Sequence, residues 1–277
     1  MPELPEVETI VRQLRAKNVE GKRIVSAAVL WAPTVDPLSV SDFCQVVEGT
    51  IVEQVSRVGK WIIFSLSSGQ SLCVHLRMSG HFLLESSRFD RVILELNDGT
   101  ILYYGDPRKF GRWKLVDDPA VILGKLGPDA LTDAFDYNYF YAVLQGRKRK
   151  IKPFILDQSI VAGLGNIYAD EALWAAKIHP ERIANSLSKI EIEKLYCSIR
   201  DVLEQGVKNR GTSLGVGKAN YRDMDGAVGG NGVVVKAYGR SGLACERCGE
   251  LLVKKKVAQR GSTFCPICQI FDLNENH

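Results

Sequence analysis

The chain has 277 residues, 45% of them hydrophobic and 25% charged, with 36 Lys/Arg against 32 Asp/Glu for a formal net charge of +4. This composition supports a packed core and excludes wholesale disorder. No apolar run approaches the roughly 18–20 residues that span a membrane, and the acidic, proline-bearing start is the opposite of a secretory signal, so a cytoplasmic protein is expected.

In chain order, residues 3–19 predict an amphipathic helix: Val7, Ile10, Val11 and Leu14 recur at helical spacing, and Gly21 offers a stop. Residues 22–116 read as β. Short or alternating apolar runs fall at 23–30, 50–58, 61–66, 71–76, 91–96 and 100–104, with the hairpin signal Asn97-Asp98-Gly99 between the last two. Many short strands with little helix between them predict a β-sandwich or barrel. Leu126-Gly127-Pro128-Asp129 breaks this texture. Residues 133–210 carry helical periodicity, clearest over 167–178 and 188–208. Residues 211–235 hold seven glycines among 25 residues, a loop long enough to serve a function. The expected fold class is α+β multidomain: an N-terminal helix plus β-sandwich over 1–132, a helical domain with the Gly-rich loop over 133–235, and a cysteine-bearing end over 236–277.

The charge is unevenly spread. Residues 1–135 hold 15 basic and 17 acidic side chains, net −2, and the remaining 21 and 15 give the second half +6. A basic half suits a polyanionic partner, with a solvated basic face as the alternative.

Three of the seven cysteines, Cys44, Cys73 and Cys197, are isolated in apolar-patterned segments and read as small buried hydrophobes. The other four, Cys245, Cys248, Cys265 and Cys268, are spaced C-x2-C-x16-C-x2-C, the pattern of a zinc ribbon. Two CxxC turns each present two thiolates to one tetrahedral ion. The alternative of two disulfides is improbable in a cytosolic chain, and a redox CxxC lacks the βαβ context it needs. Four thiolates leave no open coordination position, so one structural Zn2+ is the expected cofactor. The ribbon also carries Lys254, Lys255, Lys256 and Arg260, which suit phosphate contact.

Residue 2 is proline. Removal of Met1 would expose a secondary α-amine. An α-amino group titrates near 7.7–8.0 against about 10.4 for lysine, so at neutral pH far more of it is a nucleophile. Condensed with a sugar C1′, such an amine gives a permanently charged iminium that promotes elimination. Glu3 and Glu6 follow, and breaking a glycosidic bond requires a proton donor beside the nucleophile. The same residues also fit a plain helix start, with proline and acids in the first turn.

These residues belong to a longer series. Met1-Pro-Glu-Leu-Pro-Glu-Val-Glu-Thr9, Arg57-Val-Gly-Lys60, His75-Leu-Arg-Met-Ser-Gly80, Asp106-Pro-Arg-Lys-Phe-Gly111, Ile151-Lys-Pro153, Gly163-Leu-Gly-Asn-Ile-Tyr-Ala169, Tyr238-Gly-Arg240 and Gln259-Arg260 run in order to the cysteine ribbon. Over essentially its whole length the chain resembles the formamidopyrimidine-DNA glycosylase family. The resemblance implies a β-sandwich, a helix–two-turn–helix domain and a zinc ribbon. It implies a base-excision repair enzyme that removes 8-oxoguanine and formamidopyrimidines and cleaves the abasic site by β,δ-elimination through a proline Schiff base.

Residue by residue, the resemblance implies Pro2 as nucleophile, Glu3 as the acid at the deoxyribose ring oxygen and Glu6 as a hydrogen-bonding support. Lys60 would transfer protons during elimination, and Arg260 would bind the phosphate beside the lesion. Met78, Arg108 and Phe110 match an inserted triad: an apolar wedge, a cation for the orphaned base and a ring that stacks. Asn166, Arg147 and Lys152 match DNA-contacting positions. The implied partner is double-stranded DNA carrying oxidised bases or abasic sites, met at the bacterial nucleoid by a monomer, with no membrane involved. Two positions depart from the family pattern: Phe89 stands where many members have a DNA-contacting histidine, and Asn231 where an aromatic is common. The related endonuclease VIII type, which prefers oxidised pyrimidines, is disfavoured by Leu4 and by the Met78/Arg108/Phe110 set. A non-catalytic binder of damaged DNA is disfavoured by Pro2, Glu3 and Lys60 together.

Overall fold

The computed structural model describes residues 2–214 and 221–271. Met1 and residues 215–220 of the Gly-rich loop, whose roles are anticipated above, lie outside the described residues. The chain forms two compact units, one built from residues 1–125 and 209–232, the other from 126–208 and 233–277.

In the first unit, helix α1 (Leu4–Ala16) starts with proline in its first turn and buries Leu4, Val7, Ile10, Val11 and Leu14. Its apolar stripe at 3.6-residue spacing is what commits it to the core. Eight strands follow: β1 (Ile24–Val29), β2 (Val52–Val58), β3 (Trp61–Leu66), β4 (Ser71–His75), β5 (His81–Leu83), β6 (Asp90–Leu96), β7 (Ile101–Gly105) and β8 (Arg112–Val116). They make two antiparallel sheets of order β1-β6-β7-β5 and β2-β3-β4-β8. The alternation along β6, where Asp90, Val92, Leu94 and Leu96 are buried, shows one face turned inward. Side chains from α1 and both sheets share one core cluster. At its centre the rings of Phe82, Tyr104 and Trp113 lie 5.2–5.8 Å apart, each such pair adding about 0.5–1.5 kcal/mol beyond area burial.

The sequence pattern found six of these strands. It missed β5, only three residues long, and β8, whose residues Arg112-Trp-Lys-Leu-Val116 mix charge with apolar bulk. It also missed α2 (Val40–Val47), a two-turn helix capped by Ser39 Oγ, which accepts from Asp42 N at 3.0 Å. The initial helix ends at Ala16 rather than 19.

Topology decides what the sandwich can carry. The chain leaves β4 for the other sheet at residues 76–80 and returns from β7 at 106–111. Since β4 pairs with β8 (His75 opposite Arg112) and β5 pairs with β7 (His81 opposite Gly105), the two crossovers run side by side.

The second unit holds α4 (Tyr137–Leu144), α5 (Ile151–Ile155), α6 (Asn166–Ala176), α7 (Lys189–Lys208) and a hairpin of β9 (Val253–Val257) and β10 (Arg260–Phe264). A one-turn helix, α3 (Ala120–Leu123), lies near the end of the first of the two segments that make up the first unit. Phe135, Phe140, Phe154, Leu164, Tyr168, Leu195 and Ile199 are buried in the helical core. The division drawn from chain order put residues 211–232 with the helices; in space they group with the sandwich. The reason is local: that backbone is pinned to α1, as described next.

Candidate active site and metal centre

Pro2 and Glu3 are buried at the start of α1, Glu3 with only 1% of its surface exposed. Glu6, also 1% exposed, uses both carboxylate oxygens. Oε2 accepts from Glu3 N at 2.8 Å, and Oε1 accepts from Thr212 N at 2.7 Å. Glu6 is thus a brace between the N-terminal residues and the glycine-rich segment. Gly211 allows that approach: its φ is +87°, and a Cβ there would lie 2.9 Å from Glu6 Cγ. Tyr221 Oη donates to the Glu6 carbonyl at 3.4 Å. Asn231 is buried and donates to Thr212 Oγ1 at 3.0 Å, so it stitches the base of this segment together.

Lys60 is largely buried at the turn joining β2 to β3, after Gly59 with φ +58°. The turn is held by Arg57, whose Nε donates to Glu8 on α1 at 2.9 Å and whose Nη1 donates to the Gly59 carbonyl at 3.0 Å. One guanidinium therefore ties the lysine turn to the helix that follows Glu3. Lys60 also acts on His75. Burial first, then the charges of Arg77 and Lys60, push the His75 imidazole down to about 3. Its Nδ1 is an acceptor, taking Arg77 N–H at 3.0 Å at the start of the first crossover.

The crossovers present Met78 and Phe110, 43% and 47% exposed, with the Arg108 guanidinium 5.0 Å from the Phe110 ring centre. An exposed Met and Phe on adjacent loops, beside a cation, form an apolar tip that the core does not use. Half-buried Phe89 lies under the Arg88 guanidinium at 4.7 Å.

The second unit gathers the other predicted residues around α6. Asn166 opens the helix after Gly165, and its Nδ2 donates to the Gly261 carbonyl at 3.1 Å. Arg260 is exposed at the tip of the β9–β10 hairpin, where Ala258 and Gln259 both take positive φ (43° and 69°), as a tight two-residue turn needs. Arg147 is exposed; its neighbours Arg149 and Lys150 pair with Asp157 and Glu181. Lys152 departs from expectation. It is fully buried, with Nζ 2.6 Å from Asp170 Oδ1 and 2.8 Å from the Gly261 carbonyl. A DNA-contacting cation must face solvent, and this one is spent holding the hairpin to α6. The sequence offered a clue: Asp170 and Glu171 are adjacent carboxylates inside an apolar helix, and such groups are buried only with partners. Glu171 accepts from the backbone N–H groups of Lys236, Ala237 and Tyr238.

The thiol sulfurs of Cys245, Cys248, Cys265 and Cys268 all lie within 4.8 Å of one another. Tetrahedral zinc with Zn–S bonds of about 2.3 Å needs sulfurs roughly 3.8 Å apart, so the four fit one ion. Trp174 of α6 donates its indole N–H to Cys245 Sγ at 3.4 Å. The four thiolates would hold the ion, which supplies a cross-link here and no reactive position.

Residues 1–113 match the family model "Formamidopyrimidine-DNA glycosylase N-terminal domain", residues 126–217 the "Formamidopyrimidine-DNA glycosylase H2TH domain", and residues 242–270 the "Zinc finger found in FPG and IleRS". A formamidopyrimidine-DNA glycosylase of Protochlamydia amoebophila is 43% identical over 97% of this chain and 99% of its own. The MutM (Fpg) protein of Thermus thermophilus superposes with a TM-score of 0.88 at 39% identity, covering 97% of this chain and 98% of that one. The Fpg of Lactococcus lactis, solved in complex with DNA containing an abasic site, gives a TM-score of 0.88 at 36% identity over 97% and 100% of the two chains. With a buried proline and glutamate at its N-terminus, an apolar tip on paired loops and a four-cysteine hairpin, the chain belongs to the formamidopyrimidine-DNA glycosylase family.

Proposed function

We infer that this protein is a DNA glycosylase and abasic-site lyase of base-excision repair. Its substrate is duplex DNA with oxidised purines, encountered at the nucleoid. The observation that carries the reading is the N-terminal centre, where Pro2 and Glu3 are buried together and fixed through Glu6 to Thr212.

With Met1 absent, the Pro2 amine attacks C1′. The C1′–N bond breaks, its electron pair leaves with the base, and the amine proton passes to the departing base. Glu3 gives a proton to the ring oxygen, the sugar opens, and an iminium joins Pro2 N to C1′. That cation acidifies C2′. Loss of a C2′ proton expels the 3′ phosphate, and a second elimination expels the 5′ phosphate, with Lys60 as proton carrier. Met78, Arg108 and Phe110 fill the space the base vacates, whose opening costs a few kcal/mol. Arg260, Arg147 and the N-terminus of α6 at Asn166 hold phosphates.

Borohydride should reduce the iminium and leave a covalent protein–DNA adduct on an 8-oxoguanine duplex. Pro2→Gly, or protein retaining Met1, should lose most of that adduct. No adduct from unmodified Pro2 protein across a panel of oxidised purine and pyrimidine duplexes would sink the enzyme reading.

A further inference from the structure

The two crossover loops are separate in sequence and must act together on a duplex. The second begins with Asp106, 1% exposed, directly after β7. Its Oδ1 accepts from the Ser79 hydroxyl on the first loop and from Arg108 N at 3.1 Å on the second. Its Oδ2 accepts from Gly111 N at 2.7 Å, where the second loop re-enters the sheet. The backbone of Asp106 is fixed in turn, its N–H donating to the Phe89 carbonyl at 2.8 Å and its carbonyl accepting from Arg91 Nε at 3.1 Å.

A second observation points the same way. Both loops close over one buried side chain. A Cβ on Gly80 would lie 2.4 Å from the Tyr104 hydroxyl, and a Cβ on Gly111 only 1.7 Å from it. No side chain fits at either point, so the loops are seated against a common floor and joined above it by one carboxylate. Met78 is next to Ser79, and Phe110 is next to Gly111. The residues that reach outward therefore each lie within one residue of a donor that Asp106 holds.

We propose that Asp106 is a positioning residue that locks the two loops into a single wedge, so that Met78, Arg108 and Phe110 enter the base stack as a unit. This rests on the glycosylase reading above. Asp106 touches no reacting atom; it acts through the loops. An ionised carboxylate accepts several donors at once, and charge-assisted bonds are about twice as strong as neutral ones. A carboxamide of the same shape turns an NH2 toward one of the three donors and cannot satisfy them all. The wedge is needed where a base must be supported after extrusion from a duplex. It is not needed on a single-stranded abasic site, whose C1′ is already accessible.

The test compares two rates in each protein: base excision from an 8-oxoguanine duplex, and borohydride trapping on single-stranded abasic DNA. In Asp106→Asn the ratio of duplex to single-strand rates should fall about tenfold or more, the size of one lost charge-assisted hydrogen bond. 2-Aminopurine placed opposite the lesion should also brighten less on binding, since the gap is filled less often. Ser79→Ala removes one donor and leaves the sandwich core intact, so it decides the matter if Asp106→Asn does not fold. It should lower the same ratio by roughly threefold, and the double variant should lose less than the product of the two. An unchanged ratio in both variants, or equal losses on both substrates, overturns the proposal. Wild-type protein that traps on single-stranded abasic DNA while the ratios stay constant overturns this inference alone. Wild-type protein that traps on neither substrate overturns the enzyme reading and this inference with it.

Discussion

His75 and Lys152 carry ordinary titratable side chains whose surroundings give them jobs that residue type does not announce. His75 reads in the sequence as one member of a motif, whereas in space it is a neutral acceptor that fixes the Arg77 backbone at the mouth of the first crossover. Its imidazole is pushed down to about 3 from 6.5, by burial above all and then by Arg77 and Lys60. Because the folded value lies below the unfolded one, the stabilisation is complete above pH 6.5 and is lost as pH falls toward 3. Between pH 7.5 and pH 5 this residue alone should remove up to about 2 kcal/mol of unfolding free energy. Urea titrations at the two pH values check this, and His75→Gln should flatten the difference; an identical pH slope in the variant would count against it. Lys152 shows the converse. A lysine in a basic run reads as a surface cation, and only the contact with Asp170 reveals that it is internal. Pro2 is legible as a candidate nucleophile because the amine proposed for that role must stand at the start of the chain, which is a property of sequence. Asp106 stood in plain view inside a motif, yet nothing local says that its oxygens reach a second loop.

At the scale of the element, α6 explains how the ribbon is held. Asn166, Asp170 and Trp174 are spaced four residues apart and so lie along one face of the helix. They meet the Gly261 carbonyl, the Thr263 N–H at 2.9 Å and the Cys245 sulfur in turn. The Arg247 guanidinium covers the Trp174 ring at 4.0 Å. One helix face thus sets the register of the hairpin that carries Arg260. The buried Lys152–Asp170 pair is the most sensitive contact in this row. Asp170→Asn leaves an ammonium without its counter-charge and should cost about 3–5 kcal/mol, whereas Lys152→Met with Asp170→Leu should cost clearly less, since no lone charge remains buried. Denaturant midpoints of the single and double variants test this; a double variant as damaged as the single one would remove the charge pair from the explanation. The periodicity of α1 and α7 made those helices readable, because each buries one stripe, whereas α6 is buried on nearly every side from residue 167 to 173. Strands β5 and β8 were not readable. A three-residue strand and a charge-interrupted one owe their structure to the partners β7 and β4, which supply the hydrogen bonds their own sequence does not specify.

Across the whole molecule, the zinc ribbon has the least to hold it. Its buried cluster is Cys245, Leu252 and Cys265, with Trp174 and Cys268 packed alongside. So small a core cannot offset the entropy of about 30 ordered residues. Metal binding worth about 10–16 kcal/mol can. Chelation should release one zinc per chain, expose the 253–264 hairpin to protease and weaken DNA binding. A ribbon that stays protease-resistant after the metal is gone would show that α6 contacts alone suffice. Among the described residues no helix is long and apolar enough to cross a membrane. The sequence by itself singled out Pro2 as the candidate nucleophile and determined the four-thiolate metal site, the excess of positive charge in the second half and most of the regular elements. Each of these follows from residue type and short-range spacing. Only the tertiary structure decided that residues 209–232 join the sandwich, that Lys152 is internal, and that Asp106 links two loops. Each of those depends on a buried polar group finding its partner far along the chain, and burial is set by the packing of the whole, not by the neighbours in sequence.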